Sequence, residues 1–432
     1  MLKRSLSFAV IAAFAVMAMF GFTGSNAVQA QDGPITFATS FEANELEAFR
    51  TVMDEFTAET GIEVELESIS RDMATVLGNR VEGGNPPDLA NVPNPGVFPN
   101  LGDELVSLDW FLDTEVANQH SQAFLDPGTF NGTLLGVMPG ASFKSIVWYN
   151  LNVFEQEGYE TPTTLAELRE LEQEMLDDGY KPWCIGVESG AASGWPGTDW
   201  MEDIALREFG GDFYDAWVNH DIPWTDDRVG QLFEIFGSFA SEEKAFGGRQ
   251  NIINTNFADS PLDMFTDPPR CLMHKQASFA LDIITSNSDA ELGEDFSSFV
   301  FPKFGEGPTP VLFAGDLFIA FKDSPEIRQL IEFWASAEAQ GMFAELNPGR
   351  LAVNSNVGLD VYPNDRLAGW AQALQEADVK RYDGSDMMPA AIGSGAFWTG
   401  VLDYLSGVPV DEVQQQIETA ADDAYTSGEA TD

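Results

Sequence analysis

The sequence predicts an α/β protein built as two lobes, each a mainly parallel sheet flanked by helices. Three observations predict it. A β-α-β unit begins at Pro34, strand-then-helix grammar recurs beyond residue 160, and the two stretches flank a central apolar segment, "NGTLLGVMPGASFKSIVWYN", Asn131 to Asn150.

The first unit is the clearest. Pro34 to Ser40, "PITFATS", reads as a strand, and Asn44 with Glu47 three residues on resembles a capping box opening a helix. Leu46, Phe49, Met53 and Phe56 give that helix one apolar face, and Gly61 stops it. Ile62, Val64 and Leu66 then alternate with Glu63, Glu65 and Glu67 as a second strand. Such a unit implies parallel strands, a right-handed crossover and a ligand crevice at the strands' carboxyl ends. Pro87 to Ala90 reads as the next strand. Further on, Thr163 and Thr164 start a helix with Leu165, Leu168, Leu171 and Met175 on one side, and "KPWCIGV" follows as a short strand. Thr198 caps a helix running to Gly210, and Ser324-Pro325 opens another with Ile327, Leu330, Ile331 and Trp334. No short repeat suggests a solenoid.

Lys3 and Arg4, the apolar run Leu6 to Phe22 and the small residues around Val28-Gln29-Ala30 read as a signal peptide over residues 1–30, with an uncleaved anchor as the alternative. The expected location is therefore periplasmic or extracytoplasmic. The chain has 432 residues, and its 21 Lys and Arg against 70 Asp and Glu set a formal net charge of −49. That charge repels nucleic acid and anionic membranes. With 44% hydrophobic residues interleaved, the chain is not a disordered acidic tail. In an exported protein its two cysteines, Cys184 and Cys271, read as a disulfide, and two separate buried thiols are the alternative.

The usual catalytic signatures are missing. His120, His220 and His274 stand apart from any metal-ligand spacing, and there is neither G-x-S-x-G nor a phosphate loop. Ser241 to Lys244 fits S-x-x-K without its accompanying K-T-G. No metal, cofactor or catalytic residue is therefore expected. Paired carboxylates of a glycoside hydrolase remain the enzymatic alternative, because only their separation in space identifies them.

Gly132, Gly136, Tyr149, Asn150, Phe154, Gly158 and Pro162 make the stretch Gly132 to Glu170 resemble the solute-binding proteins of sugar ABC importers, the maltose-binding-protein family; Ile146 and Trp148 depart slightly from its usual strand. "CIGVESGAASGWPGTDWMEDI", "GGRQNIINTNFADSP", "PPRCLMHKQASFAL" and "YDGSDMMPAAIGSGAFWTGVLDYLSG" resemble its α-glucoside-binding branch. The resemblance implies a periplasmic-binding-protein fold, a Cys184–Cys271 disulfide, an α-glucoside held between the lobes, and a membrane permease as partner for a monomer. It also implies chain crossings near Pro139 to Lys144, Thr309 to Phe313 and Asn347 to Arg350. The lobes are then 33–141 with 312–348, and 142–311 with 349–432. A binder for another polar solute, such as a polyol, is the alternative within this class.

A sugar presents hydroxyls that need planar acceptors and donors, and C–H faces that lie on aromatic rings. Glu42 follows the first strand at its carboxyl edge, as acceptor or as solvated helix entry; Asn94 holds the equivalent edge in "NVPNPG", as contact or plain turn. Lys144, a charge among apolar neighbours beside the first crossing, meets a hydroxyl or ties to a carboxylate. Trp195 is the expected aromatic platform, Asp199 a contact or a helix cap, and Trp200 a packing residue. Asp282 ends "ASFALD", which resembles a family strand leading into the cleft. Gly315 and Asp316 lie near the second crossing and Arg350 at the third, where its guanidinium can fork onto hydroxyls. Trp398 in "SGAFWTG" is matched in related binders by a tryptophan stacked on glucose.

Overall fold

The computed structural model describes residues 33–69, 73–101 and 104–426. The signal-peptide reading of residues 1–30 lies outside the described residues. No helix among the described residues is long and apolar enough to cross a membrane.

Strand β1, Ile35–Thr39, leads into helix α1, Ala43–Thr60, and strand β2, Val64–Ser68. β1 lies between β2 and β3, Leu89–Val92, parallel to both. Ile35, Phe37 and Ala38 are fully buried, as a strand covered on both faces requires. Helix α1 buries Phe49, Val52, Met53 and Phe56, and ends at Gly61, whose φ of 74° lets its N–H return to the carbonyl of Thr57. Its start differs from the sequence expectation. Glu42 occupies the cap position, Ala43 turns the chain at φ 48°, and Asn44 forms no capping box. Its side-chain amide donates instead to Asp282 at 2.8 Å and Ser286 at 3.0 Å. A short polar side chain at a helix start has several competing acceptors, and here a distant pair supplies them.

Along the chain follow β4 (Gly136–Val137), β5 (Ser142–Phe143), β6 (Ile146–Asn150), helix α2 (Leu165–Asp177), helix α3 (Trp195–Glu208), β7 (Met273–Lys275) and helix α4 (Ala280–Asn287). Then come β8 (Phe296–Val300), β9 (Val311–Ala314), β10 (Leu317–Ala320), helix α5 (Pro325–Ala335), β11 (Lys380–Tyr382) and helix α6 (Trp398–Ser406). Helices α2 and α5 start where the sequence places them: Thr164 and Glu167 form a full capping box, and Ser324 accepts from the N–H of Ile327.

The fold is α/β and two-lobed, with two main sheets. The first has the order β2-β1-β3-β10-β4, and β10 runs antiparallel to both its neighbours. The second, β8-β6-β7, is antiparallel throughout. The expectation of mainly parallel strands thus fits β1, β2 and β3 and fails in the second sheet. Strand direction is not encoded locally: β6 is paired by chain returning after more than a hundred residues, and strand-helix alternation fits either direction. A third, small sheet has the order β11-β9-β5, and Ala141 bridges to Leu351. These contacts set the stretches around residues 141–143, 311–314 and 351 beside one another. Glycine is required at Gly315, between β9 and β10, because a Cβ there would lie 2.6 Å from the carbonyl of Gly140.

Two further expectations are corrected. "KPWCIGV" is extended but pairs only through isolated bridges of Trp183 to Ala245 and Met273, while its Cys184 is joined to Cys271 by a disulfide. "ASFALD" is a turn followed by the first turn of α4, so Asp282 projects from a helix start rather than a strand end. The apolar faces bury two aromatic cores. One holds Phe37, Phe49, Phe318 and Trp334; the other packs Trp200 against Trp183, Phe239 and Phe301.

Candidate functional site

Helix α3 begins three residues before the expected cap. Gly194, φ 111°, is its cap residue, Trp195-Pro196 opens the first turn, and the Thr198 hydroxyl donates to the Trp195 carbonyl at 2.9 Å. Proline is tolerated there because first-turn N–H groups have no intrahelical acceptor. The cap must also be small: a Cβ on Gly194 would stand 2.4 Å from the Trp398 carbonyl. The starts of α3 and α6 thus abut. Trp195 and Asp199 face the same cavity as Trp398, while Trp200 packs into the core.

That cavity measures about 500 Å³, and all ten residues singled out from sequence line it: Glu42, Asn94, Lys144, Trp195, Asp199, Asp282, Gly315, Asp316, Arg350 and Trp398. They come together because β1, β3 and β9 end there, and α3, α4 and α6 begin there. The sequence reading missed Glu45, Ser142, Phe257, Phe279, Asp383, Ser385 and Asp386, which line it too. A signal existed for three of these. Asp383, Ser385 and Asp386 sit in "YDGSDMMPAAIGSGAFWTG", directly after the short strand β11.

Two cations organise the wall, and each is already paired. Lys144 donates to Asp199 Oδ1 at 2.8 Å and to Asp383 Oδ2, all three side chains being deeply buried. The carboxylate tie, one of the two roles expected of Lys144, is thus formed, and Asp199 makes an ion pair rather than a cap. Arg350 reaches Glu45 through Nε at 2.6 Å and Asp316 through Nη1 at 3.0 Å. Asn91 donates to the other Asp316 oxygen at 2.9 Å.

Charge density shapes the titration. Burial pushes Asp199 up to about 7, with Lys144 opposing. Burial also raises Asp386 and Glu202, and the charge of Asp383 raises them further. Asp383 itself is raised by burial but pulled below the usual carboxylate range by Lys144. Burial weakens Lys144 as a cation, yet Asp199 and Asp383 hold its pKa well above normal. Glu202 accepts from the backbone N–H groups of Gly384 at 2.9 Å and Ser385 at 3.0 Å, fixing the turn that presents Asp383.

Aromatic faces complete the wall. Trp195 meets Phe257 edge-on at 5.0 Å and Phe279 at 6.1 Å, with Lys144 5.7 Å above its ring. Arg350 lies 5.5 Å over Phe41. Seven acidic residues and two neutralised cations line the cavity. Such a wall can accept hydroxyl protons and receive C–H faces, and it offers no unpaired cation to an anion. Asp199 and Asp383, held on one ammonium, act as its partners.

Comparison with known proteins accords with this geometry. The chain is 41% identical over 367 residues to "Osmoprotective compounds-binding protein GgtB" of Synechocystis, covering 84% of this chain and 86% of that one. It is 38% identical over 393 residues to "Alpha-glucosides-binding periplasmic protein AglE" of Rhizobium meliloti, covering 87% and 84%. The fold matches that of the solute receptor AcbH, described as having a preference for β-D-galactopyranose, with a TM-score of 0.78 at 19% identity, over 91% of this chain and 100% of that one. RafE in complex with raffinose matches with a TM-score of 0.69 at 16% identity, over 89% and 98%. Residues 42–341 match the profile of the bacterial extracellular solute-binding proteins, and the chain belongs to that family.

Proposed function

We propose that this protein captures a neutral α-linked glucoside, a disaccharide or short oligosaccharide, and delivers it to the membrane permease of a carbohydrate ABC importer. One observation carries the reading: a single cavity joins seven carboxylate residues to aromatic faces while both its cations are already neutralised. The name of the Rhizobium relative supports the α-glucoside. The lobes are proposed as 33–141 with 312–348, and 142–311 with 349–432. In support, every strand of the first main sheet falls within the first of these ranges and every strand of the second sheet within the other, and β5, β9 and the Ala141–Leu351 bridge pair stretches beside the proposed crossings. Solute bridging the lobes shifts the open-closed equilibrium through its greater affinity for the closed form, and the permease reads closure. No bond is made or broken. The protein works as an extracytoplasmic monomer after removal of residues 1–30, which N-terminal sequencing of the exported chain tests.

The functional test is a thermal-shift screen with maltose, sucrose, trehalose and sorbitol. A solute at a hundred times its dissociation constant adds about 2.7 kcal/mol of stability. At least one α-glucoside is expected to raise the melting temperature, and incubation is expected to release no glucose. Stabilisation by sorbitol alone would overturn the substrate class, and glucose release would overturn the binding role.

A further inference from the structure

Eight buried side-chain polar atoms among the described residues have no hydrogen-bond partner, and three of them belong to this one cavity wall: Ser142 Oγ, Asp199 Oδ2 and Trp398 Nε1. Ser142 is 2% exposed and Asp199 5%. Buried polar groups are ordinarily paired, because desolvation is costly when nothing replaces water. This chain follows that rule nearby. Ser145 Oγ, three residues from Ser142, donates to Asp203 and accepts from the N–H of Leu312. Trp148, Trp183 and Trp370 each donate their indole N–H, to Gln276, Glu172 and Ser298.

We propose that Ser142, Asp199 Oδ2 and the indole N–H of Trp398 form one polar anchor for the solute, one that takes a pair of neighbouring hydroxyls. The assignment rests on the solute-capture reading above. Each atom restricts what it accepts. An ionised carboxylate oxygen only accepts, an indole N–H only donates, and a serine hydroxyl does either. The bound group must therefore bring a proton to ionised Asp199 and a lone pair to Trp398; a hydroxyl can do both, whereas an ether oxygen can do only the second. Lys144 decides which carboxylate oxygen is left over, since its ammonium takes Asp199 Oδ1. Ser142 adds a position that no motif or strand-end argument singled out. It lies on β5, paired with Ala314 of β9, so this contact reaches the crossing segments themselves. Trp398 then serves by its ring edge, and not only by the face expected from related binders.

The test is isothermal titration of trehalose, maltose and sucrose into wild type, Trp398→Phe and Ser142→Ala. Trp398→Phe keeps an aromatic face and removes the N–H; Ser142→Ala removes one hydroxyl. For whichever of the three sugars wild type binds, each variant is expected to raise Kd by about 10-fold, the scale of one hydrogen bond lost. The unliganded melting temperature should stay near that of wild type. If Trp398→Phe fails to fold, Ser142→Ala, the smaller deletion, carries the test. Affinity within twofold of wild type for a folded variant removes that residue and overturns the anchor while the capture reading stands. If wild type binds none of the three sugars, the capture reading falls and the anchor falls with it.

Discussion

Lys144 and Arg350 are each held between two carboxylates, yet the two clamps are built differently. Lys144, Asp199 and Asp383 all belong to one lobe under the proposed division, and Asp383 is only 1% exposed. Arg350 is 15% exposed, and its partners Glu45 and Asp316 both come from the other lobe. Under that division the first clamp would persist when the lobes part, and the second would be made and broken with them. Asn44, which reaches from α1 to Asp282 and Ser286 on α4, belongs with the second kind. On the proposed division, the first pair belongs to folding and the second to closure.

The largest effect should come from separating these roles. Lys144→Met leaves Asp199 and Asp383 buried without their cation and should cost about 3–5 kcal/mol in urea unfolding. Arg350→Met should cost less, about 1–2 kcal/mol, since Arg350 and Glu45 keep some access to water at 15% and 22% exposure, and should weaken solute affinity more than stability. Equal losses from the two variants would break the contrast.

A pH series gives the next effect. The folded value for Asp199 of about 7 lies above the ordinary 3.8. The folded state then binds more protons than the unfolded state between those values, so this group's contribution to stability falls as pH rises from about 4 to 7. Relative to wild type, Asp199→Asn should gain stability across that window, measured by urea midpoints at pH 4.5, 6 and 7.5. Asp316→Asn, in the other clamp, serves as the comparison. A pH-independent difference for Asp199→Asn would remove the charge excess attributed to the Lys144 side.

The smallest effect concerns the rings beneath the cations. Trp195→Leu and Phe41→Leu each delete one cation–π contact, at 5.7 and 5.5 Å, worth about 0.5–1 kcal/mol. Only Trp195→Leu should do so without altering lobe closure, read by small-angle scattering of the solute-free protein. A change in radius of gyration for Trp195→Leu matching that for Phe41→Leu would place both rings on the closure side.

Much of the architecture was legible because its causes are local. The periodicity of Phe49, Met53 and Phe56, the αL stop at Gly61, the capping box at Thr164 and the serine cap at Ser324 act within a helical turn or two. The ten wall residues were found partly by strand-end logic and partly by family likeness. Where several local partners compete, the same rules failed. Asn44 and Thr198 looked like caps and are not, and Asp282 was assigned to a strand.

The sequence by itself determined a strongly acidic α/β chain and the residue types of the wall, and with family likeness pointed to export and to the Cys184–Cys271 pair. Only the tertiary structure decided that Lys144 and Arg350 are spent on carboxylates, and which polar atoms remain over. The physical reason is distance along the chain. Lys144 meets Asp199 and Asp383 across 55 and 239 residues, and Arg350 meets Glu45 across 305. Local propensity carries no record of such pairings, which come into being only when the sheets and crossings have brought their ends together.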